Sequence, residues 1–480
     1  MIERKLYTIE EANDLSIDKI HELYKNFINP NQTSIFSSLP FGKDIFENAE
    51  GVHIYTSEGK KILDFTGGVG VLNHGHNHAR ILDVRKRFQN EKRMEVHKNF
   101  LCPYVAALAQ SVASVLPEPL SVSYFCNSGS EAVEGSLKMA FKSFGGKRTR
   151  VLSADISFHG KLLGVGGLTG SPETPFDFPT IPNVDQYKFN DFDSLKSIVK
   201  QHMVNNKSQH YAIVVEPFNA SNVQECSRDF LVSTRQLCSD LNIPLIFDEV
   251  YTGWAKTGDW FYFMNHNVVP DILAMSKSFG GGKASIAGYV TSPQIFNAAY
   301  GKDIDATLHS TTYNGFGEEC VTALEAIQII EDENLIDRAR EIENHLKPKL
   351  IKLKESYGDW VVDVRGKGAL LGIILNADIN KFIDRLIDVV PFGVLDDPRF
   401  RRKLIASSVM HQLFENYGIM TYFGSNRDTP LIVAPTLMAT DEDCDYFIKA
   451  LKEIFSSSKP KSIYDFARFK FSRSYLDDIK

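Results

Sequence analysis

The chain has 480 residues, 43% of them hydrophobic, enough for a sizeable core and, at roughly 100–200 residues per domain, for two or three domains. That composition excludes a disordered chain and a small disulfide scaffold. Lys and Arg total 53 against 60 Asp and Glu, a net charge of -7, and no face of the sequence carries the basic footprint of a nucleic-acid binder.

Residues 1–43 combine acidic, helix-like text with NPNQTSIFSSLPFG, a run of turn formers that reads as an arm or linker. The N-terminus lacks the apolar run of a signal peptide, and no stretch of about 18 apolar residues could span a bilayer. The six cysteines (Cys102, Cys126, Cys226, Cys238, Cys320, Cys444) contain no Cys-x-x-Cys pair and read as reduced, packed thiols. The expectation is a cytoplasmic protein with no membrane partner.

GVHIYTSEGKKILDF predicts a hairpin, its strand alternation broken by Ser57, Glu58 and Gly59. From 76 to 329 short apolar runs alternate with helical text: VSYFC (122–126), RVLSAD (150–155), AIVVEP (212–217), PLIFDEV (244–250) and DILAMS (271–276). Near-continuous apolar strands between helices predict an α/β domain, a mostly parallel sheet covered on both faces. A long charged helix then leads into VVDVRGKGALLGIIL and a last helix near DEDCDYFIKALKEIF. Residues 330–457, joined by 44–75, predict a smaller α+β domain, and 458–480 a basic, aromatic tail.

Ligands of an open parallel sheet gather beyond the carboxyl ends of its strands. After VSYFC comes Asn127-Ser128-Gly129-Ser130-Glu131, opening a helix with apolar residues at 132, 133, 137, 140 and 141. Glycine and hydroxyls at a helix N-terminus make an anion site, although Ser128 and Glu131 also spell an ordinary capping box. Two other strands end in Glu216-Pro217 and Asp248-Glu249, and another runs into Ser276-Lys277-Ser278 and the glycines 280–282. Each is commonplace alone. Together on one rim they supply what pyridoxal phosphate (PLP) needs: a Schiff-base lysine, an acid for the pyridine nitrogen and a phosphate cradle.

The segments NSGSEAVEGSLKMA, FHGKLLGVGGLTG, IPLIFDEVYTGWAKTGDWF, VVPDILAMSKSFGGG, LHSTTYNGFGEECVTALEAI and VRGKGALLGI resemble, in order, the class III (omega) aminotransferases, PLP enzymes of fold type I. The resemblance implies that Lys277 carries the cofactor, Asp248 pairs with the pyridine nitrogen, and Val250 and Phe158 flank the ring. It implies that Gly129 and Ser130, beside Ser128, hold the phosphate, with His159 and Glu216 in the surrounding shell. Thr312 matches the threonine that reaches the phosphate of the neighbouring subunit, so a homodimer with shared sites is implied. The expected reaction is transamination of an amine or amino acid with an oxo-acid acceptor, in ping-pong turnover through pyridoxamine phosphate.

The chain also departs from the family. Tyr251 stands where glutamine commonly lies near the cofactor's phenolic oxygen, and tyrosine can still donate there. Phe218-Asn219-Ala220-Ser221-Asn222 replaces the glycine-rich text after Glu-Pro, and Phe316-Gly317 replaces Asn-Pro. Ile432, in IVAPTL, stands where many members have an arginine that grips a dicarboxylate. The expected pocket wall there is apolar, unless Arg427 or Arg365 does that task from another direction. The missing arginine keeps aminomutase, racemase and phospho-lyase chemistry open beside transamination, with a non-catalytic PLP-binding protein as a third reading.

Three look-alikes are set aside. His74, His76 and His78 alternate like metal ligands, but NHGHNH matches the family's Gly-His-x-His text, and no metal is expected. FGGGKAS has Ala284 where a phosphate loop needs Ser or Thr. Lys283, the rival lysine, follows three glycines rather than a strand end.

Overall fold

The computed structural model describes residues 4–37, 39–171, 177–380, 386, 390 and 394–477. Its centre is a seven-stranded sheet in the order Val122–Cys126, Ala287–Thr291, Ile272–Met275, Leu245–Asp248, His210–Val215, Arg150–Ala154, Val184–Tyr187. Ala287–Thr291 runs antiparallel to both its neighbours; the other pairings are parallel. Within the strands the side chains alternate between two apolar layers. Leu152, Ile213, Val215, Phe247 and Leu273 feed one, and Val151, Ala212, Val214, Ile246 and Ala274 feed the other. That double burial explains why the strands read as unbroken apolar runs.

The predicted hairpin forms from His53–Thr56 and Lys61–Asp64, with Gly59 at a positive φ of 80° in its turn. Lys61–Asp64 then pairs in parallel with Ile419–Met420, Leu63 opposite Ile419, so the early segment joins the C-terminal part of the chain. Phe65, just past this strand, stacks on Phe447 of the helix Asp441–Ser456 with ring centroids 4.6 Å apart, both rings fully buried. A second sheet of four strands, in the order Val361–Lys367, Leu370–Leu375, Leu431–Val433 and Tyr422–Phe423, is antiparallel throughout.

The arm differs from expectation. Its turn-forming text folds as a helix, Pro30–Ser37, whose first turn is closed by the Asn29 side chain, which accepts from Asn31 N and Gln32 N at 3.0 and 3.1 Å. The tail is also helical, Lys459–Asp477, tied down where Lys459 Nζ donates to the carbonyls of Asp359 and Asn376 at 2.7 and 2.8 Å. All six cysteines are unpaired and buried. Among the described residues no helix is long and apolar enough to cross a membrane.

Phe447→Ala is expected to cost about 3–5 kcal/mol, because it removes a fully buried ring that clamps two distant chain segments together. Urea unfolding followed by tryptophan fluorescence measures this; a loss under about 1 kcal/mol would mean the clamp is not what holds the early strands in place.

Candidate active site

Parallel pairing sets Asp248 opposite Ala274 at the carboxyl edge of the sheet, and the next residues along that second strand lead into Lys277. Lys277 opens a short turn, Lys277–Gly280, with a left-handed φ of 52°. A lysine in that region stores roughly 1–3 kcal/mol of strain, which the buried neighbours Ser278, Phe279 and Gly280 hold in place. The result is that the lysine side chain leaves the strand end toward Asp248 instead of following the sheet.

Both residues line a cavity of about 430 Å³, together with Gly129, Ser130, Phe158, His159, Glu216, Val250, Tyr251, Tyr422 and Ile432, among others. That volume suits a small-molecule site. Asp248 Oδ2 accepts from His159 Nδ1 at 2.9 Å and Oδ1 from Val250 N at 3.1 Å. Burial opposes a charge on His159, but the bond and charge of Asp248, with Glu216 nearby, hold its pKa above the ordinary histidine value. Asp248 therefore faces the cavity with His159 behind it. Burial lowers the Lys277 amine to about 8, against the attraction of Asp248 and Glu216. Burial also pushes Glu216 up to about 7, opposed by His159 and reinforced by Asp248. Glu216 Oε2 accepts from Phe158 N at 2.8 Å and from Asn219 Nδ2 at 2.7 Å.

The opposite side of the cavity is the start of the helix Gly129–Ser143. Ser128 caps it, accepting from Glu131 N at 3.3 Å, and Glu131 Oε2 in turn accepts from Asn127 N at 3.0 Å. The capping-box reading describes Ser128, an exposed cap that does not line the cavity, while Gly129 and Ser130 do line it. The first N–H groups of the helix have no intrahelical acceptor. A Cβ on Gly129 would stand 2.7 Å from Val250 Cγ1, and one on Gly160 would stand 2.1 Å from Ser130 Oγ. Those close approaches bring the helix start up to the cavity.

The residues present fit PLP. An enclosed amine of lowered pKa, a carboxylate fixed by a histidine and a helix N-terminus meet in one cavity. Phe158, 42% exposed, and Val250 supply apolar faces, and His159 Nε2 is buried with no partner among the described residues.

Other sequence readings fall elsewhere. Lys283 is exposed and away from the cavity. Thr312 is exposed and does not line the cavity of its own chain. His74 Nε2 donates to Ala326 O at 2.9 Å, His76 lies 2.8 Å from Asp64, and His78 3.2 Å from Glu333. They do not converge, and no group of three or more His, Cys, Asp or Glu among the described residues could hold a metal ion. Tyr422, on a two-residue strand, carries no local signal in the sequence.

Residues 42–455 match the family model of the class-III aminotransferases, and the chain belongs to that family. It is similar in fold to a transaminase from the marine bacterium Virgibacillus, at 22% identity over 94% of this chain and 99% of that one, TM-score 0.79. It is likewise similar to ornithine aminotransferase from Toxoplasma gondii, at 21% identity over 94% and 99%, TM-score 0.77. An (S)-enantioselective omega-transaminase from Thermomicrobium roseum gives 23% identity over 86% and 92%, TM-score 0.75. The fold is thus PLP fold type I, and the protein is a PLP-dependent aminotransferase of class III.

A neutral amine is the attacking form of lysine. The visible band formed when apoenzyme meets PLP is expected to develop faster as pH rises, with a midpoint near 8 and a plateau above it. Stopped-flow absorbance across pH checks this; a rate flat from acid to alkaline pH would mean that Lys277 is not the titrating group. Lys277→Ala should give no band at any pH, and Lys283→Ala a normal one. Gly129→Ala should weaken PLP retention roughly tenfold, since its Cβ forces Val250 aside; equilibrium dialysis reads the change.

Proposed function

We propose that this aminotransferase moves the amino group of a primary amine or amino acid whose distal end is uncharged, in ping-pong turnover, to an oxo acceptor that is not a dicarboxylate. Bound PLP supplies the electron sink that makes the proton on the substrate's amine-bearing carbon labile. Lys277 would hold the cofactor and, as a neutral amine, would take that proton from the substrate carbon. Asp248 keeps the pyridine nitrogen protonated, with His159 fixing the carboxylate. Gly129 and Ser130 at the helix start would receive the phosphate, and Phe158 and Val250 would supply apolar contacts to the ring. His159 and Glu216 complete the shell, and Glu216, near neutrality, adds little negative charge.

The observation that carries the substrate reading is the wall opposite Lys277. Ile432 is buried against Phe218, Ala220 and Tyr422, and Lys277 is the one lysine or arginine among the described residues lining the cavity. Arg365 is engaged by Asn222 O at 2.7 Å and Asp428 at 2.8 Å, and Arg427 is half exposed, 3.7 Å from Asp428. A carboxylate buried on that wall would pay its desolvation with no partner charge. The same wall favours a second reading, in which the enzyme isomerises or eliminates and needs no separate dicarboxylate acceptor.

Thr312, exposed and outside its own cavity, is proposed to complete the phosphate site of a second copy, making the active form a homodimer. The unpaired thiols support a cytoplasmic setting.

Mixing the holoenzyme with an amine panel tests the reaction: bleaching of the visible band with release of a carbonyl product supports transamination, and an isomerised or eliminated product supports the second reading. With pyruvate and 2-oxoglutarate as acceptors, wild type is expected to favour pyruvate. Ile432→Arg should raise kcat/KM for 2-oxoglutarate roughly 10- to 100-fold, the worth of a charge-assisted pair. If wild type already uses 2-oxoglutarate well and Arg427→Ala or Arg365→Ala abolishes that, the uncharged-wall reading is wrong.

A further inference from the structure

The Tyr251 ring lies 4.2 Å, centroid to amine, from Lys277 Nζ, so its hydroxyl stands close to the reacting centre. That hydroxyl is hydrogen-bonded to the hydroxyl of Tyr422. Tyr422 is the antiparallel register partner of Ile432, and such partners project to the same face of a sheet with Cβ atoms roughly 4.5–5.5 Å apart. The wall that lacks a cation therefore carries a pair of phenols beside its isoleucine, and all three residues line the cavity.

Two hydroxyls hold two protons, and the bond between them uses one. The other has no acceptor among the described residues. Asp64 is taken up by His76 and by the N–H and hydroxyl of Thr66, Asp248 by His159 and Val250 N, and Glu216 by Phe158 N and Asn219. Burial holds both phenols above the ordinary tyrosine pKa, so each remains a neutral donor.

We propose that the Tyr251–Tyr422 pair is the polar recognition element for substrate, selecting an amine or ketone that bears a hydroxyl on the carbon next to the reacting one. The proposal rests on the transaminase reading of this cavity. If Tyr251 gives its proton to Tyr422, Tyr422 donates to the substrate oxygen. If Tyr251 instead donates to an oxygen of the cofactor, Tyr422 donates to Tyr251 and offers its own lone pair to the substrate's O–H. A hydroxyl is served in both orientations, a carboxylate only in the first and with no cation beside it, and a methyl group in neither.

Alaninol and sec-butylamine, which exchange a hydroxyl for a methyl on otherwise matched carbon frames, make the test. Their kcat/KM is measured on the holoenzyme, and their dissociation constants by calorimetry on borohydride-reduced holoenzyme, which binds without turning over. Wild type is expected to favour alaninol about 3- to 10-fold in both measures, the worth of one neutral hydrogen bond, and Tyr422→Phe, which keeps the ring and its packing, to bring both ratios near unity. Equal binding of the two amines by wild type, or a preference that survives in Tyr422→Phe, overturns the proposal. A failure of transamination itself shows differently: neither amine yields a carbonyl product, while the binding ratio still judges the pair.

Discussion

The site must place an amine whose pKa burial lowers beside an acid that needs partners to be buried at all. Desolvation favours the neutral amine and disfavours a charged acid. The structure separates them by partner: Asp248 receives a histidine and a backbone N–H, whereas Lys277 has no ion pair among the described residues. The parallel sheet makes this possible, because adjacent strands Leu245–Asp248 and Ile272–Met275 end at the same edge and deliver both side chains from the same side. The left-handed turn at Lys277 then aims the amine inward, at a local cost that the packed turn behind it offsets.

A second requirement follows from the first. A cavity dry enough to lower a lysine cannot tolerate unpaired charge on its other walls, and the neighbouring acids show how this is met. Glu249, fully buried, is pushed up to about 7 by burial, although Phe263 N, Tyr262 N and Thr252 all donate to it. Glu216 behaves alike. In both acids burial outweighs the donated hydrogen bonds and holds the carboxyl far above the ordinary carboxylate range.

What the sequence disclosed depended on whether a feature was local. Strands buried on both faces announce themselves, and the runs at 122–126, 150–155, 212–217, 244–250 and 271–276 all form strands of the central sheet. Ala287–Thr291, antiparallel between two of them, did not stand out: it contains Gly288, where a Cβ would lie 2.5 Å from Tyr124 O, so a β-former is replaced at the point of closest approach. In the arm, Asn29 and Pro30 suggested a linker but are a helix cap and a first helical residue, positions that use the same residue types. The candidate residues at strand ends were legible because topology makes strand ends converge. Tyr422 was not, since its place depends on a hydrogen bond between residues far apart in the chain and on a two-residue strand with no pattern of its own.

Other long-range bonds, behind the cavity wall, seat the antiparallel sheet against the central one. Lys256, fully buried, donates to Pro435 O at 2.8 Å and to Ala434 O at 3.4 Å. Asn73 Nδ2 donates to Trp254 O at 2.7 Å, and the Asn73 carbonyl accepts from Leu437 N at 2.9 Å. These bonds fix the backbone immediately after Ile432 without using any side chain that lines the cavity. The wall's position is thus set by groups behind it and its chemistry by Ile432 and Tyr422 in front. The hydrogen bonds that hold the Asp248 end of the cavity, from His159 and Val250 N, involve neither Ile432 nor Tyr422, so the two ends of the cavity are built from separate groups.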